Sequence, residues 1–406
     1  MTNRMTTLLL GTALALTSAG IASAQDKTIK IGALSDQSGL YADLGGPGST
    51  LAAQMAAEDS GLMKKGWKID IVSGDHQNKP DIGVNIARQW FDVDKVDVIV
   101  DVPNSGVALA VNNVVKEKNG VYINSGAATS DLTNAQCSPN TVHWTYDTYM
   151  LANSTGQALV KAGGDSWFFL TADYAFGAAL ERDTSAVINS SGGKIVGSVK
   201  HPLNTADFSS FLLQAQSSKA KVIGLANAGG DTTNSIKQAA EFGITKSGQK
   251  LAALLLFITD VKAIGLETAQ GLNFTETFYW DLNDETRAFS KKFAARMKNG
   301  APPTMVQAGV YAGLIHYFKV MDAAGSNAHD GIKIVNAMKG MPTEDPLFGK
   351  GTIQPNGRKI HEAHLFEVKK PAESKSAWDF YKLVGTVAGD KAFTPLDKST
   401  CALLKK

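Results

Sequence analysis

From residue 30 onward the chain keeps one rhythm: a short β-branched run, a loop of small or polar residues, then a stretch with helical spacing. Residues 30–34 (KIGAL) read as a strand, and residues 50–60 as a helix with Leu51, Ala52, Met55 and Ala56 on one face. Residues 68–72 form the next strand, and Ile82, Ile86, Trp90 and Phe91 the next helical stripe. A third strand at 96–100, a third helix at 107–115 and a fourth strand beginning at Val121-Tyr122-Ile123 continue the series. Strands that alternate with helices run parallel, because a parallel neighbour needs a long crossover, and the crossovers cover both faces of the sheet.

The rhythm then restarts. Residues 167–170, 194–199, 221–225, 251–257 and 271–280 read as strands, with helices at 178–189, 208–216 and 233–242 closed by Gly192-Gly193 or Gly243. Two α/β layers in tandem imply two similar lobes, although no close sequence repeat joins them. After Trp280 the pattern turns helical, at 285–297 and at 305–323, where Val310, Leu314, Tyr317 and Met321 share a face. Residues 351–353 and 364–368 flank Pro355-Asn356-Gly357, a hairpin signal. Chain left over after both lobes packs back on them, so several strands cross between the lobes and form the hinge.

The first 24 residues stand apart. Met1 to Arg4 give a positive start, residues 8–16 an apolar core, and Ala22-Ser23-Ala24 an A-x-A cleavage site. This is the pattern of a secretory signal peptide; a retained membrane anchor is the alternative, but spanning takes roughly 20 apolar residues. The mature chain is thus expected to be exported and soluble, and its length suits two domains. The net charge of +2 comes with no basic stripe or acidic tail, which argues against nucleic acid and against a polybasic membrane contact. Two cysteines in an exported chain, Cys137 and Cys401, invite a disulfide that ties the C-terminal tail to the loop after the fourth strand; two unpaired thiols are the alternative.

In open parallel sheets ligands bind beyond the carboxyl ends of the strands. That selects the loops at 35–45, 103–106, 124–131, 172–177 and 227–231. Asn104-Ser105 opens the third helix, where Ser105 can cap the helix and the free N–H groups can hold an anion. Gly126-Ala127-Ala128-Thr129 offers backbone N–H groups and a hydroxyl, and small side chains let a ligand approach them; a helix cap and a tight turn are the purely structural alternatives. Tyr41, Tyr149, Tyr174, Phe176, Phe257, Phe278 and Tyr279 supply aromatic faces for a flat or apolar ligand body, or simply core. Asn227 and Gly229 follow the third strand of the second series. No GxSxG, GxxxxGK[ST], HExxH or CxxC occurs, and no nucleophile pairs with Asp75, His76, Asp173 or Asp231. His361 and His364 fall in the expected hairpin, and neither a metal nor a cofactor is expected.

With these loops in place the chain resembles the periplasmic substrate-binding proteins of ABC transporters, in the branch of the leucine/isoleucine/valine-binding proteins. The resemblance is carried by residues 29–34 with Ser38-Gly39 and Gly45, by Asp75-His76-Gln77-Asn78 with Pro80, and by Ser105-Gly106. Residues 126–132, Asp173-Tyr174-Ala175-Phe176-Gly177 and Asp207-Phe208-Ser209 complete it, over about 28–370. It implies a type I "Venus flytrap": α/β, two Rossmann-like lobes with parallel sheets and a three-crossover hinge. The implied division is residues 25–145 plus 281–353 for lobe I, 146–280 plus 354–390 for lobe II, and 391–406 as a tail.

The implied function is to bind a solute in the cleft and pass it to membrane permease subunits, as a monomer in the periplasm and without chemistry on the ligand. The family's carboxylate-holding roles fall on Ser105, Ala127 and Thr129. The spacing to Leu132 is one residue shorter than in amino-acid binders, so Ala128 can take the Thr position. Amino-acid binders also place a second-lobe acid against the ligand's ammonium, whereas here that neighbourhood reads Leu255-Leu256-Phe257-Ile258, with Asp260 a few residues late. The expectation is a carboxylate without an ammonium, of the benzoate or cinnamate type. A branched-chain or other amino acid, and a sensory module built on the same clamp, are the alternatives; the signal peptide favours transport.

Overall fold

The computed structural model describes residues 26–405, so the expected leader at 1–24 lies outside the described residues. Strands β1 (Thr28–Ser35), β2 (Lys68–Asp75), β3 (Val98–Asp101), β4 (Val121–Asn124) and β5 (Thr141–His143) form a parallel sheet in the order β2-β1-β3-β4-β5. β3 and β4 are buried at every position, as short apolar runs in a sheet covered on both faces must be. β2, at the edge, is fully buried nowhere.

A second parallel sheet, in the order β7-β6-β8-β9, is built from β6 (Ser166–Ala172), β7 (Lys194–His201), β8 (Val222–Ala226) and β9 (Lys250–Ala253). β9 is shorter than the expected 251–257, because Phe257 already stands at the N-cap of the helix Ile258–Ile264. β5 was not expected at all: three residues are too few for an alternation to show.

The two remaining sheets are antiparallel, as a hairpin in this part of the chain requires. The expected strand at 271–280 is only β10 (Asn273–Glu276). It leaves the parallel series. β11 (Thr343–Asp345), β12 (Gly349–Ile353) and β13 (Lys359–Ile360) make one small sheet, while β10 pairs with β14 (Ala363–Val368), which pairs with β15 (Tyr381–Val387).

The Asn-Gly turn does close a hairpin, but between β12 and β13; residues 364–368 pair elsewhere, as β14. Gly357 sits at φ +90°, and a Cβ there would come within 2.5 Å of the Thr141 carbonyl oxygen, so this turn is pressed against β5. His143 bridges Arg358 at the same place. Gly357 and Arg358 therefore lie against the first sheet.

The helix Met305–Ala324 fills the first lobe, with the expected stripe Val310, Leu314, Tyr317 and Met321 buried. Gly313 lets it come close to β4, since a Cβ there would meet Ile123 Cγ2 at 2.7 Å. Cys137 and Cys401 are joined, with Cα atoms 5.6 Å apart. Among the described residues no helix is long and apolar enough to cross a membrane.

Candidate ligand site between the lobes

The loops that leave β1, β3 and β4 meet at Asp101. It is fully buried and has φ +76°, followed by Val102 at +59°, two non-glycine residues in a region that costs energy to occupy. Its Oδ2 accepts from Ser35 Oγ at 2.7 Å, and Ser35 Oγ in turn accepts from Gly46 N at 2.8 Å. A Cβ on Gly45 or Gly126 would meet the Asp101 carboxylate at 2.7 or 2.3 Å, so both loops need glycine to pack on it. Burial pushes this carboxyl up to about 6.

On that base stands the first-lobe wall. Asn104, and not Ser105, caps the helix Ser105–Lys118: its Oδ1 accepts from Gly106 N at 2.9 Å and Val107 N at 3.1 Å. Asn104 Nδ2 is buried and has no partner among the described residues. Ser105 is thereby released from capping, and its Oγ accepts from Thr129 N at 3.3 Å. Thr129 Oγ1 accepts from Asp131 N at 3.3 Å. Both hydroxyls thus take a backbone proton and keep their own O–H to donate.

Ala127 is turned away. Its N–H donates to Asn124 Oδ1 at 3.0 Å, and its carbonyl accepts from Asn124 Nδ2 at 2.7 Å and lies 2.9 Å from His143 Nε2. Ala128 faces the space between the lobes instead.

That space is pinched to a cavity of about 10 Å³ where the lobes meet, close to the size of one water molecule. Its aromatic walls are Tyr41 from the first lobe, Tyr146 from the first passage, and Tyr174 and Phe176 from the second lobe; Leu44, Pro103, Ala128, Ala228 and Leu255 complete it. None of these side chains is charged. The lobes touch across it: Tyr41 and Tyr174 hydroxyls are 2.6 Å apart, and Ser130 Oγ donates to Asp183 Oδ2 at 2.7 Å. Gly229, at φ +58°, lies where a Cβ would meet the Leu40 carbonyl oxygen at 2.8 Å.

The acids behind the second-lobe wall are already engaged. Asp231 accepts from Asn204 N at 3.1 Å and Thr205 N at 2.8 Å, and Asp260 from Phe257 N at 2.9 Å. Burial raises Asp231 to about 6 and Asp260 to about 7.

The sequence expectations sort accordingly. Tyr41, Ala128, Tyr174 and Phe176 come together on the cavity, with Asn104, Ser105 and Thr129 grouped at the loop bearing Ala128. Phe257 packs edge-on to Tyr146 at 6.4 Å, behind the wall. Tyr149 is half-buried and does not line the cavity. Asn227 is spent on the start of the next helix, accepting from Thr232 Oγ1 at 2.8 Å. Tyr279 belongs to a separate core, stacked on Tyr381 at 4.6 Å with its hydroxyl accepting from Phe380 N at 3.2 Å. Tyr146 and Asp101 went unread; Tyr146 follows the strand too short to see, and Asp101 lay inside an apolar run.

Comparison with known proteins agrees with this architecture. Residues 28–375 match the family model described as periplasmic binding protein. A periplasmic binding protein from Burkholderia mallei is 51% identical, with a TM-score of 0.90 over 93% of this chain and 100% of that one. A branched-chain amino acid ABC transporter periplasmic ligand-binding protein from Burkholderia xenovorans LB400 is 39% identical, with a TM-score of 0.82 over 93% and 100%. Leu/Ile/Val-binding protein homolog 6 of Brucella melitensis is 26% identical over 367 residues, 88% of this chain and 92% of that protein. A parallel two-lobe fold, a site walled by both lobes and these matches together place the chain in the periplasmic binding protein family, as a non-enzymatic substrate-binding component of an ABC transporter of the branched-chain amino acid family.

Proposed function

We propose that this protein binds a small carboxylate of the aromatic-acid type, such as a benzoate or cinnamate, between its lobes and hands it to permease subunits of an ABC transporter. The observation that carries the reading is a cavity with aromatic walls and no charged side chain, bordered by neutral donors. A carboxylate at Ala128 would meet the Ser105 and Thr129 hydroxyls, the unpartnered Asn104 amide and the positive end of a 14-residue helix. With the lobes moved apart to admit it, the ring would lie among Tyr41, Tyr146, Tyr174 and Phe176. An ammonium finds less support: Asp231 and Asp260 are occupied by backbone N–H groups and held toward their neutral forms. Burying an unpaired charge costs several kcal/mol.

A Rhodopseudomonas palustris solute-binding protein solved with benzoate has this fold, at 22% identity and a TM-score of 0.79; at that identity it speaks for the fold alone. A branched-chain amino acid is the second reading, favoured by the likeness to the 39% identical branched-chain amino acid ABC transporter ligand-binding protein of Burkholderia xenovorans. We further take the protein to be exported by its leader and to act as a monomer, which light scattering on the purified protein would check.

Calorimetry on protein stripped of copurified ligand decides between the two ligands. Benzoate, 4-hydroxybenzoate and cinnamate are expected to bind and leucine, isoleucine and valine are not. Tight leucine binding with no response to the aromatic acids would overturn the proposal.

A further inference from the structure

The second lobe's antiparallel sheet ends in β15, paired with β14 from Val368↔Tyr381 to Ala363↔Val387. Beyond it the chain turns back toward the first lobe. The Lys391 carbonyl accepts from Asn153 Nδ2 at 2.7 Å, still beside the second lobe. Phe393 then covers the hinge, its ring 4.3 Å from the Arg358 guanidinium carbon and 5.3 Å from the His361 ring. Ser399 Oγ donates to the Thr133 carbonyl at 3.1 Å, and Cys401 is bonded to Cys137, both in the first-lobe loop between β4 and β5.

Arg358 is fully buried beneath Phe393 and links two passages. It donates to the carbonyls of Trp144 at 2.7 Å and Tyr146 at 3.1 Å, and lies 3.6 Å from Asp147. Tyr146 is a wall of the cavity. The tail therefore reaches the site through two contacts: Phe393 on Arg358, then Arg358 on the Tyr146 backbone.

We infer that the tail is a fourth, covalently anchored connection between the lobes, and that Phe393 and Arg358 are positioning residues through which it narrows the range of cleft opening. The inference rests on the chain path and is independent of which solute is bound.

Spin labels at Asn85→Cys and Glu241→Cys, exposed positions on the two lobes, read that range directly in ligand-stripped protein. Cys137→Ser/Cys401→Ser is expected to broaden the interlobe distance distribution about twofold. Phe393→Ala should broaden it with the disulfide intact, and Phe393→Tyr should restore the wild-type width. Phe393→Ala decides the matter if the double serine variant does not fold. Distributions that superimpose on wild type, even with a lowered melting temperature, would overturn the inference. So would broadening that Phe393→Tyr fails to restore.

Discussion

Ser105 and Thr129 each accept a backbone N–H through their side-chain oxygen, which fixes where the hydroxyl proton can go. Thr129→Val removes the donor with little change of shape. It is expected to weaken binding of acids about tenfold, the worth of one hydrogen bond to a charged group, and binding of the corresponding amides less. Equal losses in calorimetry for acid and amide would mean that the residue only shapes the loop. Asp260 makes a different prediction. Burial lifts its folded-state carboxyl to about 7, above the 3.8 of an unperturbed one. The folded chain then holds the proton more tightly than the unfolded chain, so acidification from about pH 7 toward 4 adds stability through this group, and a rise in pH removes it. Urea titrations of wild type and Asp260→Asn should show wild type gaining on the variant across that window, by a few kcal/mol at most. A constant difference across the window would contradict this.

The helix Ser105–Lys118 owes its start to Asn104, which satisfies two N–H groups of the first turn. Asn104→Ala should cost about 1 kcal/mol of unfolding free energy in a urea titration and Asn104→Asp less, since Asp keeps the accepting oxygen. Both residue types cap well, and local sequence offered Asn104 and Ser105 side by side; only the packing of Thr129 onto Ser105 tells them apart. The same limit applies to whole elements. Strands inside covered parallel sheets were legible, because continuous β-branched runs have few other ways to bury themselves. β5 and β11, each of three residues, and the helix Gly331–Gly340 were not. The partner of 364–368 also escaped: an Asn-Gly turn announces a hairpin but does not say which strand follows the turn. In the site, loop chemistry was readable from small and hydroxyl residues, whereas the sorting of Tyr174 from Tyr279 required the third dimension.

The two lobes touch each other across the cleft, among other places at the Tyr41–Tyr174 hydroxyl pair. Tyr41→Phe should leave the melting temperature of ligand-stripped protein nearly unchanged and speed release of bound benzoate about fivefold in stopped flow, the loss of one neutral hydrogen bond. An unchanged release rate would show that the pair forms without holding the lobes. The link at the far end carries a consequence for biosynthesis. Its two sulfurs sit 264 positions apart, so the bond cannot close until residue 401 has been made. Material produced in a reducing cytosol would lack this last fastening until it is oxidised.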